Sequence, residues 1–176
     1  MGYGGSCLPK DLRALAAFST NLGYNPTLLN AVEQVNRQQP QRMIELCKKA
    51  LGSLQGKRIA VLGLAFKPDT DDMREAVSVE IVSKLLGEGA IVVAYDPAAI
   101  HNARKIFKNT IEYAPSSVEC LRNADCSVVL TEWDEFKALS PENFAENMRN
   151  PCVIDGRRIY DPKEFATKLL FAAIGL

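Results

Sequence analysis

The chain of 176 residues is 47% hydrophobic and balances 21 basic against 21 acidic side chains, so its formal net charge is zero. This is enough for one ordinary domain with a smaller appendage and is not the composition of a disordered chain. The neutral balance, spread without runs of one sign, offers no electrostatic footprint for a nucleic-acid backbone.

No apolar run approaches the roughly eighteen residues that a bilayer crossing needs, and Met1 leads into a glycine-rich stretch where a secretory leader would be basic and then apolar. The chain therefore reads as cytoplasmic, with neither membrane nor nucleic acid as partner. Its five cysteines are an odd number, form no CxxC pair and have only His101 as an imidazole companion, which disfavours a disulfide framework and a metal site. His101 lies in AAIHNARKIF, read as a surface helix, so a Cys-His or Ser-His-Asp triad is also disfavoured.

In chain order, GYGGSCLPK after Met1 forms a loop whose glycines permit positive φ and close backbone approach to a ligand. Pro9 suits a first helical turn and Asp11 favours the positive end of the helix dipole, predicting a helix over about 9–22 that stops near Gly23. Asn25-Pro26 reads as an N-cap followed by proline at the first helical position. A long amphipathic helix follows, with Leu28, Leu29, Val32 and Val35 and then Met43, Ile44, Leu46, Cys47, Ala50 and Leu51 at helical spacing; Pro40 is expected to kink or split it. Two helices and a glycine loop bury no core alone, so they must pack on another domain or subunit.

From Gly56 the pattern changes. Short apolar strands (RIAVLGLAF, IVVAYD, TIEYA, CSVVLT, PCVIDG) alternate with helical segments near 73–87, 98–108, 116–123 and 134–148 and a last helix after Asp161-Pro162. The fold class is α/β, a Rossmann-like parallel sheet with helices on both faces, and ligands are expected at the carboxyl ends of the strands.

KPDTDDMRE follows the first strand and sets Lys67, Thr70, Asp71, Asp72 and Arg74 at that edge. It is not a dinucleotide fingerprint, since Gly63 is the turn's only glycine. Lys67 can meet a phosphate as a point charge; alternatively Lys67 and Arg74 pair with Asp69, Asp71 or Asp72 on the surface. Asp96-Pro97 ends the second strand and reads as a helix cap before it reads as a ribose ligand. DGRR ends the last predicted strand and would bring Arg157 and Arg158 beside Lys67, a cation cluster suited to a diphosphate. Trp133 is a candidate stacking surface, or simply a half-buried aromatic. Among the cysteines, Cys7 alone sits between a glycine loop and a helix start with Lys10 a turn away, a setting that favours thiolate over thiol. Cys47, Cys120, Cys126 and Cys152 lie in apolar stretches and read as buried hydrophobes.

GYGGSCLPKDLRAL resembles the active-site signature of the UDP-glucose/GDP-mannose dehydrogenase family, and NPTLLNAVEQVN, GLAFKPDTDDMRE, YDP, TEWDEF and DGR follow in that family's order. The resemblance implies a division into a cysteine loop with a central helical dimerisation region (1–54) and a UDP-sugar-binding domain (55–176). It implies oxidation of a nucleotide-linked sugar at C6 by two hydride transfers to NAD, with UDP-glucose the first choice and UDP-N-acetylhexosamine or GDP-mannose the alternatives. Cys7 would be the nucleophile passing through a thiohemiacetal and a thioester, and Asp11 would position or activate water. Cys7, Lys10 and Arg74 would face the cofactor. Gly2, Tyr3 and Gly4 would line the sugar, and Phe66, Lys67 and Arg157 would hold the nucleotide diphosphate. The partners implied are a UDP-sugar, a second copy joined through the central helix, and an NAD-binding domain upstream of Met1. A reading from another class keeps the chain as a non-catalytic nucleotide-sugar-binding or dimerising module. Departures from the family's pattern are Glu75-Ala76-Val77 in place of Glu-Ser-Pro, Arg158 in place of a common Asn, and a loosely matching LLFAAIGL ending.

Overall fold

The computed structural model describes every residue from Met1 to Leu176. Six strands, β1 (Arg58–Leu62), β2 (Ile91–Tyr95), β3 (Glu112–Tyr113), β4 (Cys126–Val129), β5 (Cys152–Asp155) and β6 (Leu170–Ala173), form one sheet in the order β3-β2-β1-β4-β5-β6. Every neighbouring pair is parallel. Parallel neighbours need crossovers, and these carry α3 (Val77–Gly87), α4 (Ile100–Phe107), α5 (Ser117–Leu121), α6 (Asp134–Lys137), α7 (Pro141–Asn147) and α8 (Pro162–Phe165). Ahead of the sheet stand α1 (Leu8–Asn21) and α2 (Thr27–Leu51).

Side-chain alternation divides the core between the two faces. Ile59, Val61, Cys126, Val128, Cys152 and Ile154 face one cluster, shared with Met43, Ile44 and Cys47 of α2 and Ile81, Val82 and Leu85 of α3. Ala60, Leu62, Val129 and Val153 face the other, filled by Leu121, Phe136, Phe144 and Phe165. Phe136 and Phe144 are wholly buried and contribute on the order of 2–3 kcal/mol each. Cys126 lies within hydrogen-bonding reach of Cys152 and Cys47, and these contacts together with burial push its thiol well up; all three are buried packing groups.

Several boundaries differ from those read in the sequence. The long helix begins at Thr27, with Pro26 in the cap position in place of Asn25. It runs through Pro40 without a break, losing the bond a residue there would give the Asn36 carbonyl. Its apolar stripe divides: Met43, Ile44 and Cys47 are buried on the sheet, while Leu28, Val32 and Val35 are exposed. The helix expected over 134–148 is two, because Pro141 starts a new one; Ser140 donates its backbone N–H to the Asn143 side chain at 2.8 Å. The last segment holds only a four-residue helix, and the chain then adds β6 as an edge strand.

The order of the strands reverses between β1 and β4, where an open α/β sheet leaves a crevice at its carboxyl edge.

Candidate active site

Two buried aspartates shape that edge. Asp96, just past β2, accepts from the backbone N–H of Leu64 (2.7 Å), Ala65 (3.0 Å), Ala98 (2.9 Å) and Ala99 (2.8 Å), and from Trp133 Nε1 at 3.2 Å. The helix that follows starts only at Ile100 with Ala99 as its N-cap, so Asp96 is not the cap the sequence suggested; it braces the turn ahead of α4 and also ties the β1 turn to the residues after β4. Trp133 is correspondingly partly buried and hydrogen-bonded. Asp155 at the end of β5 accepts from the N–H groups of Arg157, Arg158, Ile159 and Tyr160. A carboxylate with that many donors stays fixed and fixes the loop around it.

Gly63 serves packing. A side chain there would place its Cβ 2.5 Å from Thr131, and Thr131 in turn donates its hydroxyl to the Ala65 carbonyl at 2.7 Å. The β1 and β4 turns therefore close on each other, leaving no glycine-lined backbone cradle for a pyrophosphate.

Arg157 crosses this junction. Its Nε donates to Leu130 O (2.8 Å), its Nη2 to Phe66 O (3.3 Å), and Glu132 Oε2 lies 3.2 Å from Nε. The Nε hydrogen points to Leu130, so the buried Glu132 Oε2 has the charge contact but no hydrogen bond. Burial lowers the guanidinium's proton affinity and Glu132 opposes the shift. Arg158 does not join it: with φ +59° it turns to the Ile174 and Gly175 carbonyls after β6. Lys67 is exposed, pairs with no carboxylate, and lies 5.5 Å from the centroid of the Phe66 ring. Arg74 follows the surface-pair alternative: its Nε and Nη2 grip Asp72 at 2.8–3.1 Å.

The glycine loop reaches the same edge. Gly5 has φ +87°, and a Cβ on it would lie 2.6 Å from the Phe66 ring, so only glycine lets the loop lie flat on that aromatic. Gly4 faces the Glu75 carbonyl, which any side chain would strike. Tyr3 is clamped by Asn36 of α2, which accepts from its N–H at 2.8 Å and donates to its carbonyl at 3.0 Å. Cys7 occupies the N-cap position of α1 and is the only exposed cysteine of the five. Lys10 and Asp11 pair at 2.6 Å. That hydrogen bond chiefly raises the Lys10 proton affinity and Cys7 adds to it; Arg74 is likewise raised first by Asp72, with Cys7 a minor contributor.

Sequence reading assigned no role to Asn36, Asp155, Glu75 or Arg13, which hold these parts together. Asn36 closes the quoted NPTLLNAVEQVN motif and was the most findable, as the one short polar side chain on a turn of α2 facing the loop.

Known proteins match this arrangement over nearly its whole length. The model of the UDP-glucose/GDP-mannose dehydrogenase family's UDP binding domain matches residues 60–162, and that of its central domain matches residues 1–38. The UDP-glucose 6-dehydrogenase AglM of Haloferax volcanii is 49% identical over 164 residues, which is 93% of this chain and 37% of that protein. A UDP-glucose dehydrogenase structure from Pyrobaculum islandicum superposes with a TM-score of 0.86 at 34% identity, covering 97% of this chain and 37% of the other. The NDP-N-acetyl-D-galactosaminuronic acid dehydrogenase of Methanosarcina mazei gives a TM-score of 0.84 at 29% identity, covering 99% and 38%. The chain thus spans a little over a third of the relatives it matches.

Proposed function

Since the chain belongs to the UDP-glucose/GDP-mannose dehydrogenase family, we propose that it is the cysteine-bearing and sugar-nucleotide-binding part of an NAD-dependent dehydrogenase that converts UDP-glucose to UDP-glucuronate. The observation that carries this reading is the seating of the Cys7 loop on Phe66, beside Lys67 and Arg157 at the carboxyl edge of the sheet. A thiol and two cations on one crevice suit a substrate with a diphosphate at one end and a reacting carbon at the other.

In this proposal residues 1–54 form the cysteine loop and dimerisation region and residues 55–176 the UDP-sugar-binding domain. Phe66, Lys67 and Arg157 hold the nucleotide diphosphate, and Gly2, Tyr3 and Gly4 line the sugar. The closed turn after β1 does not fit a dinucleotide, whereas the exposed cations Lys10, a turn along α1 from Cys7, and Arg74 fit outer contacts to NAD held chiefly by protein outside this chain. NAD, when bound, supplies the hydride acceptor at both oxidation levels. Cys7 adds its sulfur to C6 of the aldehyde and holds the carbon as a thiohemiacetal; once the second hydride has left C6 the adduct is a thioester. Water, positioned by Asp11, then adds to the carbonyl, the C–S bond breaks and the carboxylate leaves with Cys7 restored. The setting is cytoplasmic, where five unpaired thiols stay reduced. The likeness to an N-acetylgalactosaminuronic acid dehydrogenase supports a UDP-N-acetylhexosamine as the second choice of substrate.

The test is intact-protein mass spectrometry of a dehydrogenase containing this chain, after incubation with NAD and UDP-glucose. Cys7→Ser, whose oxygen ester hydrolyses slowly, retains the mass of the substrate, and Cys7→Ala retains nothing. Turnover of the Cys7→Ala enzyme at the unsubstituted rate overturns the reading.

A further inference from the structure

We propose that Glu75 is a positioning residue, which with Arg13 latches the Cys7 loop and α1 onto the nucleotide-binding edge. This deepens the function proposed above, on which the importance of Cys7 rests. Glu75 touches both the cysteine loop and α1. Its carbonyl accepts from Gly5 N–H at 3.4 Å and fills the space a side chain on Gly4 would need. Its carboxylate receives Arg13 Nη1 at 3.3 Å and Nη2 at 2.8 Å, a two-pronged pair across 62 residues of sequence.

Arg13 then continues to α2, where its Nε donates to Glu33 at 3.1 Å, and Glu33 also takes Arg37 at 2.7 Å. No other side chain of α1 hydrogen-bonds to another element: Lys10 and Asp11 pair with each other, and Ser19 and Thr20 bond back to their own helix. Only Pro9 of α1 is buried, so little apolar packing replaces the ion pairs if they are lost. Glu75 has φ +51°, a left-handed conformation that non-glycine residues rarely adopt. That conformation turns its carbonyl to the loop while its side chain reaches Arg13. Beside the latch lies a cleft of about 830 Å³ lined by Tyr3, Arg13, Asn36, Glu75 and Glu80. The two parts therefore do not close on one another there, and the polar ties must set their spacing. The Arg13 hydrogen bond also holds the Glu75 carboxyl below its usual range, as expected of a charge-assisted pair.

Hydrogen exchange read by mass spectrometry on this chain tests the latch without turnover. Glu75→Gln and Arg13→Ala each raise exchange across residues 2–12 by about 2- to 5-fold, the scale of a partly exposed ion-pair network. Exchange in β1, β4 and β5 stays as it was. Arg13→Lys, which keeps the charge but loses the fork, falls between Arg13→Ala and the unsubstituted chain. The double substitution Arg13→Ala/Glu75→Gln does not exceed Arg13→Ala, because without Arg13 the Glu75 carboxylate has no latch left to lose. Unchanged exchange over 2–12, a rise shared equally by the strands, or singles that add in the double variant overturns the latch. In a dehydrogenase containing this chain, Glu75→Gln lowers kcat and leaves KM for the nucleotide sugar as it was. An exchange response with unchanged kcat leaves the latch standing and counts against the role given to Cys7.

Discussion

Asp96 shows how a single buried carboxylate organises the carboxyl edge of the sheet. Asp-Pro after a strand is a local signal and reads as a helix cap, whereas α4 starts only at Ile100 with Ala99 as its cap and Asp96 holds the turn between. Its bonds to Leu64 and Ala65, 32 and 31 residues earlier, were not legible, because nothing local announces a cross-strand acceptor. The same limit hid the Arg13–Glu75 pair, while Cys7 was legible because its glycines, proline and lysine lie within a few residues of it. Replacing Asp96 with Ala strands four backbone donors and the Trp133 indole N–H in a buried turn. At about 1–3 kcal/mol for an unsatisfied buried donor, and with some donors able to find water, the expected loss is roughly 3 kcal/mol or more. Denaturant unfolding measures it, and a loss under about 1 kcal/mol contradicts the role assigned to Asp96.

At the scale of elements, α2 combines two surfaces. Its second half is a core helix of the sheet domain, through Met43, Ile44 and Cys47, and its first half exposes Leu28 (76%), Val32 (38%) and Val35 (55%). From α1 and its C-cap come Leu15, Phe18 and Leu22, all more than half exposed. The apolar periodicity was plain in the sequence, but the division between the halves depends on where the sheet ends, which periodicity does not encode. Likewise β6 was missed because four apolar residues without alternation read equally well as the end of a helix, and only pairing with β5 decides it. We propose that the exposed half of α2 joins two copies of the chain, as contiguous apolar faces of this kind mark association surfaces. Light scattering at micromolar concentration then returns twice the chain's mass, and Leu28→Asp with Val32→Asp returns the single mass. A monomer for the unsubstituted chain contradicts the proposal.

For the molecule as a whole, the alternation of strands and helices was enough to predict a parallel sheet with its ligand site at the carboxyl edge. Strand order was not encoded locally, yet it decides which loops meet: the reversal of strand order between β1 and β4 brings Phe66, Leu130 and Arg157 together. It also sends Arg158 away toward β6, where the sequence suggested a third cation on the diphosphate. What remains is a two-cation edge, Lys67 free of any carboxylate and Arg157 held in place, on which the Cys7 loop is seated. Calorimetric titration of UDP into the chain tests that arrangement most directly. Binding is expected to be saturable, and weaker by about 1–3 kcal/mol in Lys67→Ala and in Arg157→Ala, as for charge-assisted bonds to phosphate. Absence of UDP binding, or binding that both substitutions leave unchanged in a folded chain, contradicts it.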